Sequence, residues 1–190
     1  MQIILLRHGK PAIDSHQKLS ASEFAHWVER YKQSSIDERD IPPDDAINIA
    51  RQSDYIVCSD LPRSIASAQL LDVSKIDLSD RLFREFDMPY SNGQLLRLTA
   101  SGWSAWYRLR WLLGYSSNAE TYRAAKDRAD HCLEKLIELA AMNQTVLFVG
   151  HGALNWYLSK QLRRQGWQAP KSSTRKYWSY VLFKGASKNP

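Results

Sequence analysis

Two short apolar runs in this chain stop at the same kind of tripeptide. Gln2-Ile3-Ile4-Leu5-Leu6 ends at Arg7-His8-Gly9, and Thr145-Val146-Leu147-Phe148-Val149 ends at Gly150-His151-Gly152. Runs of this length without polar alternation suit strands buried on both faces. A third run over 54–58 leads into Ser59-Asp60-Leu61-Pro62, and helical patterns separate the three. Ser20-Ala21-Ser22-Glu23 has capping-box spacing, and Phe24, Trp27, Val28 and Tyr31 follow at helical intervals towards a stop near Ser34. Pro43 suits the first turn of a second helix, with Asp44 and Asp45 near its positive end. Further helices are expected over 63–71, around Trp103, Trp106, Tyr107, Arg110 and Trp111, over 119–142, and over 153–164 with Gly166 as the stop. A short third strand is expected at 76–78 and a last, edge strand at 176–183. Pro89 and Asn92-Gly93 mark 81–101 as irregular. Strands alternating with helices predict an α/β fold with a mostly parallel, helix-covered sheet. Ligands of such sheets sit beyond the carboxyl ends of the strands. That places His8 and His151 on one rim, with Arg63 just past it.

Composition excludes several classes. With 190 residues, 44% hydrophobic and 24% charged, the chain is an ordinary globular sequence, long enough for one core. No apolar run approaches the roughly 20 residues of a membrane span. The start has no basic region ahead of its strand, so no signal peptide is expected. The two cysteines, Cys58 and Cys132, fit reduced core positions in a cytoplasmic protein. A net charge of +6 admits a nucleic-acid surface, a pocket for an anionic substrate, or a plain basic surface. Part of the excess is local, at Lys160, Arg163, Arg164, Lys171, Arg175 and Lys176 near Trp167, Tyr177 and Trp178. No nucleic-acid motif accompanies it, so neither a nucleic-acid nor a membrane partner is expected. His16, His26 and His131 stand in no metal-ligand spacing.

The rim residues suit phosphate chemistry. A phosphate dianion needs positive charge and several donors, and the arginine fork matches two of its oxygens. A neutral histidine can attack phosphorus and split one hard step into two. A second histidine can donate to the transferring group, and N–H groups at the helix start after His151 can add partial positive charge. Arg7, His8, Arg63 and His151 supply these parts. The departing group needs a proton from a carboxyl, for which Glu85 and Asp87 are the candidates.

Four segments together carry a family resemblance. Leu5-Leu6-Arg7-His8-Gly9 resembles the opening motif of the histidine phosphatase superfamily, the phosphoglycerate mutase-like proteins. In order along the chain, Ser59-Asp60-Leu61-Pro62-Arg63-Ser64-Ile65-Ala66-Ser67-Ala68, Leu82-Phe83-Arg84-Glu85 and Val146-Leu147-Phe148-Val149-Gly150-His151-Gly152 resemble its arginine, acid and second-histidine segments. The resemblance implies a three-layer α/β/α sandwich with a small helical cap at about 86–118, in a single domain 1–190. It implies a phosphatase acting on phosphomonoesters of small metabolites, with no metal and no organic cofactor, as a monomer or homodimer. His8 would carry the phosphoryl group and Arg7, Arg63 and His151 would bind it. Glu85 would protonate the leaving group and then activate water.

Some positions depart from the family pattern. Many members follow Arg-His-Gly with Glu-Thr and then an Asn; here Lys10, Pro11 and Asp14 stand there. Lys10 and Asp14 become candidates for the pocket rim. Ala66 and Ser67 replace the usual Gln and Thr. These changes bear on the substrate more than on the chemistry. The chain is short for a phosphoglycerate mutase, so hydrolysis is preferred to mutase-type phosphoryl transfer; a non-catalytic phosphate-binding member is the other alternative. The Trp103, Trp106, Tyr107 and Trp111 cluster is expected to pack as core or lid, part of it walling the pocket.

Overall fold

The computed structural model describes residues 1–172 and 174–185; Ser173 and residues 186–190 of the expected domain lie outside the described residues. Along the chain the elements are β1 (Gln2–Arg7), β2 (Lys18–Leu19), α1 (Ala21–Gln33), α2 (Asp44–Arg51), β3 (Tyr55–Ser59), α3 (Pro62–Leu70), β4 (Leu78–Asp80), β5 (Leu98–Thr99), α4 (Ala100–Leu112), α5 (Tyr122–Asn143), β6 (Thr145–Gly150), α6 (Gly152–Arg164) and β7 (Tyr180–Lys184), with a 3-10 turn over Arg81–Phe83.

Five strands form one sheet in the order β4-β3-β6-β1-β7. β4, β3, β6 and β1 are parallel, and β7 closes one edge antiparallel to β1. The continuous apolar runs have a physical reason here. Ile3 and Leu5 of β1 pack with Val146 and Phe148 of β6 against α5 and α6, while Ile4 and Leu6 pack with Leu147 and Val149 against α2 and α3. Every residue of such a strand meets a helix layer on one face or the other. The architecture is therefore α/β in three layers, as expected.

Local chemistry sets many boundaries. Ser20 and Glu23 form the capping box reciprocally: the Ser20 hydroxyl accepts the Glu23 N–H and the Glu23 carboxylate accepts the Ser20 N–H. Pro62 opens α3, where its missing N–H costs nothing. Gly166, at φ +84°, ends α6 in a conformation glycine adopts freely.

Two strands differ from expectation. β4 starts at Leu78 rather than 76, because the Asp77 carboxylate accepts the Ile56 N–H and the Asp77 N–H donates to the Ile56 carbonyl; the ladder with β3 begins beyond that knot. β7 starts at Tyr180 rather than 176. Residues 176–179 form a turn in which Trp178 has φ +61° and donates its N–H to the Arg7 carbonyl.

A third apolar cluster lies apart from the sheet. Phe24, Trp27 and Val28 of α1 meet Ala100, Trp103 and Tyr107 of α4, with the β2–β5 pair at one end. Segment 86–118 thus packs on a helix that precedes it by some 70 residues. Among the described residues no helix is long and apolar enough to cross a membrane.

Candidate active site

β1 and β6 are neighbours, with Arg7 beside Gly150, so the residues that follow them, His8 and His151, meet at one rim. Their ring centroids stand 5.1 Å apart, edge to face. Both side chains are buried. His8 Nδ1 lies 2.6 Å from the Gly9 carbonyl. A carbonyl only accepts, so Nδ1 carries the proton and Nε2 keeps its lone pair. Burial, then the Arg63 charge, lowers the His8 pKa from 6.5 to about 3. His151 is shifted in the same direction, by burial first and Arg63 second. Its Nε2 lies 2.7 Å from the Ser59 hydroxyl at the end of β3.

Arg63 enters from the first turn of α3. Its guanidinium donates to the Tyr31 carbonyl at 2.9 Å and lies 4.4 Å from the centre of the Tyr31 ring. Arg7 donates to the Arg175 carbonyl, and its guanidinium lies 4.2 Å from the Tyr177 ring centre. Each arginine is thus held on an aromatic face. Four buried side-chain polar atoms have no hydrogen-bond partner among the described residues: Arg7 Nε, Arg63 Nε and His151 Nδ1, which belong to the residues gathered with His8, and Asn155 Oδ1 on α6. Buried polar atoms of this kind are rare and call for a ligand or another explanation.

Gly9 has a steric role. A Cβ there would come within 2.4 Å of the Trp178 indole. The Gly9 N–H donates to Ser67 Oγ, and that hydroxyl donates to the Arg63 carbonyl. Ser67 therefore still ties the His8 loop to α3.

Glu85 reaches the same rim from the segment after the 3-10 turn. Its carboxylate oxygens accept the N–H groups of Ala153 and Leu154, each at 2.9 Å, and of Phe86 at 3.0 Å. This corrects one expectation: those α6 N–H groups hold Glu85 rather than standing free for an anion. Asp87 is committed elsewhere, its carboxylate accepting the Glu120 N–H.

A cavity of about 820 Å³ adjoins the rim, lined by Arg7, Lys10, Tyr31, Arg63, Glu85, Asp87 and Tyr177 among others; the buried His8 and His151 are not among its lining residues. Lys10 lines it; Asp14 lines a second, smaller cavity that Lys10 also borders. The Asp14 carboxylate accepts the His16 N–H at 2.8 Å and its backbone carbonyl accepts the Trp27 indole N–H, so a local turn holds it. The tryptophans of α4 are also absent from the lining. Trp103 and Trp111 are buried with their indole N–H groups on the Leu19 and Glu120 carbonyls, and Trp106 is half exposed. Ala100, Ser101, Ser104 and Arg108 form the cavity face of α4 instead.

Several site residues escaped sequence reasoning. Ser59 had no assigned role, and the partners Tyr31, Tyr177 and Arg108 carried no local signal. Of the C-terminal aromatics read beside the basic cluster, Trp167 and Trp178 are buried, while Tyr177 is exposed and carries the Arg7 guanidinium over its ring. Among the described residues no three or more His, Cys, Asp or Glu side chains gather as metal ligands.

A family model described as the histidine phosphatase superfamily (branch 1) matches residues 48–187, the stretch that holds Arg63, Glu85 and His151. No curated protein sequence matches the chain. Among solved structures it is similar to the product of the Mycobacterium tuberculosis open reading frame Rv3214, at 17% identity over 98% of this chain and 92% of that one, with TM-score 0.60. It is similar to the mycobacterial glucosyl-3-phosphoglycerate phosphatase, at 20% identity over 95% and 88%, TM-score 0.57. A third is the alpha-ribazole phosphatase from Shigella flexneri, at 16% identity over 99% and 92%, TM-score 0.56. At these identities the likeness establishes a shared fold.

Proposed function

This chain belongs to the histidine phosphatase superfamily (branch 1), and from that premise we propose that it hydrolyses phosphomonoesters of small metabolites through phosphohistidine on His8. The observation that carries the reading is the set of buried, unpartnered nitrogens on Arg7, Arg63 and His151 around a neutral His8. A phosphoryl group among them supplies oxygen acceptors for the arginine donors and brings phosphorus to the His8 lone pair.

His8 Nε2 attacks phosphorus, a P–N bond forms and the bond to the leaving oxygen breaks. Glu85, entering this step with its carboxyl protonated, gives that oxygen a proton and becomes a carboxylate. The carboxylate then takes a proton from water, whose oxygen attacks phosphorus as the P–N bond breaks. Phosphate departs, and His8 and Glu85 return to their starting states. His151 donates to a phosphoryl oxygen if its proton sits on Nδ1, which the Ser59 hydroxyl supports by donating to Nε2. Glu85 is preferred to Asp87 because its carboxyl sits at the start of α6, directly after His151.

The cavity accommodates a metabolite larger than phosphate, within the roughly 300–1,000 Å³ of ordinary ligand sites. We read segment 86–118 as the cap over it, with Lys10 on its rim. We also read the reaction as metal-independent, since two guanidiniums supply the charge. The buried free thiols Cys58 and Cys132 suit the cytoplasm.

The test is hydrolysis of 4-nitrophenyl phosphate with EDTA present, wild type against His8→Ala. The expected result is turnover that EDTA leaves intact and the substitution abolishes. Turnover that survives His8→Ala would remove the phosphohistidine step. Turnover that EDTA abolishes would remove metal independence.

A further inference from the structure

Segment 82–87 carries Glu85 but belongs to no helix or sheet ladder beyond Phe83. Its carbonyls are nonetheless gathered by two arginines from different helices. Arg128 of α5 donates to the carbonyls of Leu82 at 3.0 Å, Arg84 at 2.8 Å and Glu85 at 3.4 Å. Arg108 of α4 donates to those of Phe86 and Asp87, both at 2.9 Å. Both guanidiniums are largely withdrawn from water, and burial pulls the Arg108 pKa down. The Arg128 fork also pairs with the Glu120 carboxylate, through Nε at 3.0 Å and Nη2 at 2.5 Å. Glu120 in turn ties to Asp87 through both backbone N–H groups.

We infer that Arg108 and Arg128 form a clamp that positions Glu85 for proton transfer. An irregular segment places a side chain only as well as its backbone is held, and here five carbonyls hold to two rigid forks. The carboxylate itself is fixed at its far end by α6, so Glu85 is gripped from both sides. Arg108 also faces the cavity, so the clamp ties the acid to the position of α4 over the substrate. Neither arginine touches the reacting atoms in this scheme; both act through Glu85.

The inference rests on the phosphatase reading, and the experiment separates the two. It compares kcat/KM for 4-nitrophenyl phosphate and phenyl phosphate in the wild type, Arg128→Gln, Arg108→Lys and Glu85→Gln. The 4-nitrophenolate ion leaves without help, whereas phenolate is a stronger base and benefits from the proton of Glu85. A misplaced acid therefore penalises phenyl phosphate selectively. The expected loss for Arg128→Gln is at least about fivefold larger on phenyl phosphate than on 4-nitrophenyl phosphate, in the direction of Glu85→Gln. Arg108→Lys, the milder change, should show the same bias to a smaller extent. Combining Arg128→Gln with Glu85→Gln should add little further bias, because both remove one function. Equal losses on both substrates, or full additivity, would overturn the clamp while leaving the phosphatase reading in place. Absence of wild-type turnover on both substrates would overturn both. Should Arg128→Gln fail to fold, Arg108→Lys carries the same comparison.

Discussion

His8 and His151 are neutral because burial beside Arg63 opposes a second positive charge. That has a consequence for stability as well as reactivity. Between about 3 and the unperturbed 6.5, the unfolded chain binds a proton on His8 that the folded chain refuses. The folded state therefore has its full stability above the unfolded value and loses it as pH falls through this window. Thermal melts from pH 7 to pH 4 should show a falling midpoint, and His8→Gln should flatten the slope. An unchanged slope would place the acid sensitivity elsewhere. Gly9 is another residue with little latitude. Gly9→Ala drives a methyl into the Trp178 indole, and overpacking of this kind costs about 1–3 kcal/mol, to be read by urea unfolding. Because Gly9 sits next to His8, activity should fall further than stability alone accounts for. The placement of His8, Arg63 and His151 was legible in the sequence because they stand at strand ends and a helix start. The turn at Asp14 was not legible, because an Asx turn is decided by backbone angles that residue type only suggests.

At the scale of elements, α1 shows how a local signal serves a distant site. Ser20 and Glu23 close its first turn, and Tyr31, near its end, carries Arg63 on its ring. Ser20→Ala should cost about 1 kcal/mol in denaturant unfolding. Because the last turn of α1 is remote from the cap, kcat/KM should stay near the wild-type value; a parallel collapse of activity would mean that the cap also sets the Tyr31 position. Capping boxes, Pro62 and Gly166 act within four residues, so these boundaries could be read directly. The two-residue β2–β5 pair could not, since Lys18 pairs with Thr99 across most of the chain's first half. The start of β4 was displaced by the Asp77 hydrogen bonds, a contest between side chain and ladder that propensity does not resolve.

For the whole molecule, the sheet order brings the ends of β3, β6 and β1 side by side, and everything proposed for the site follows from that adjacency. A phosphate anion should then stabilise the fold as a whole. Inorganic phosphate at a hundred times its Kd should add about 2.7 kcal/mol, visible as a higher melting midpoint at pH 7. Arg63→Met should remove most of that rise, and a rise that persisted would put the anion elsewhere. The stabilisation should also weaken with added sodium chloride if exposed Lys10 contributes, since exposed charges are screened within about 10 Å at 0.1 M salt.

By itself the sequence determined the order of the helices and of the five strands of the main sheet, the double-sided burial of β1 and β6, and the placement of His8 and His151 at strand ends. Apolar periodicity and capping chemistry are written in consecutive residues, and a motif at a strand end keeps its meaning wherever the strand lies. The tertiary structure alone decided the partners. Tyr31 under Arg63, Tyr177 under Arg7, Trp178 against Gly9 and the Arg108–Arg128 grip on Glu85 all join residues tens of positions apart. Such pairings depend on which helix packs over which strand end, a property of the assembled layers that no run of neighbouring residues encodes.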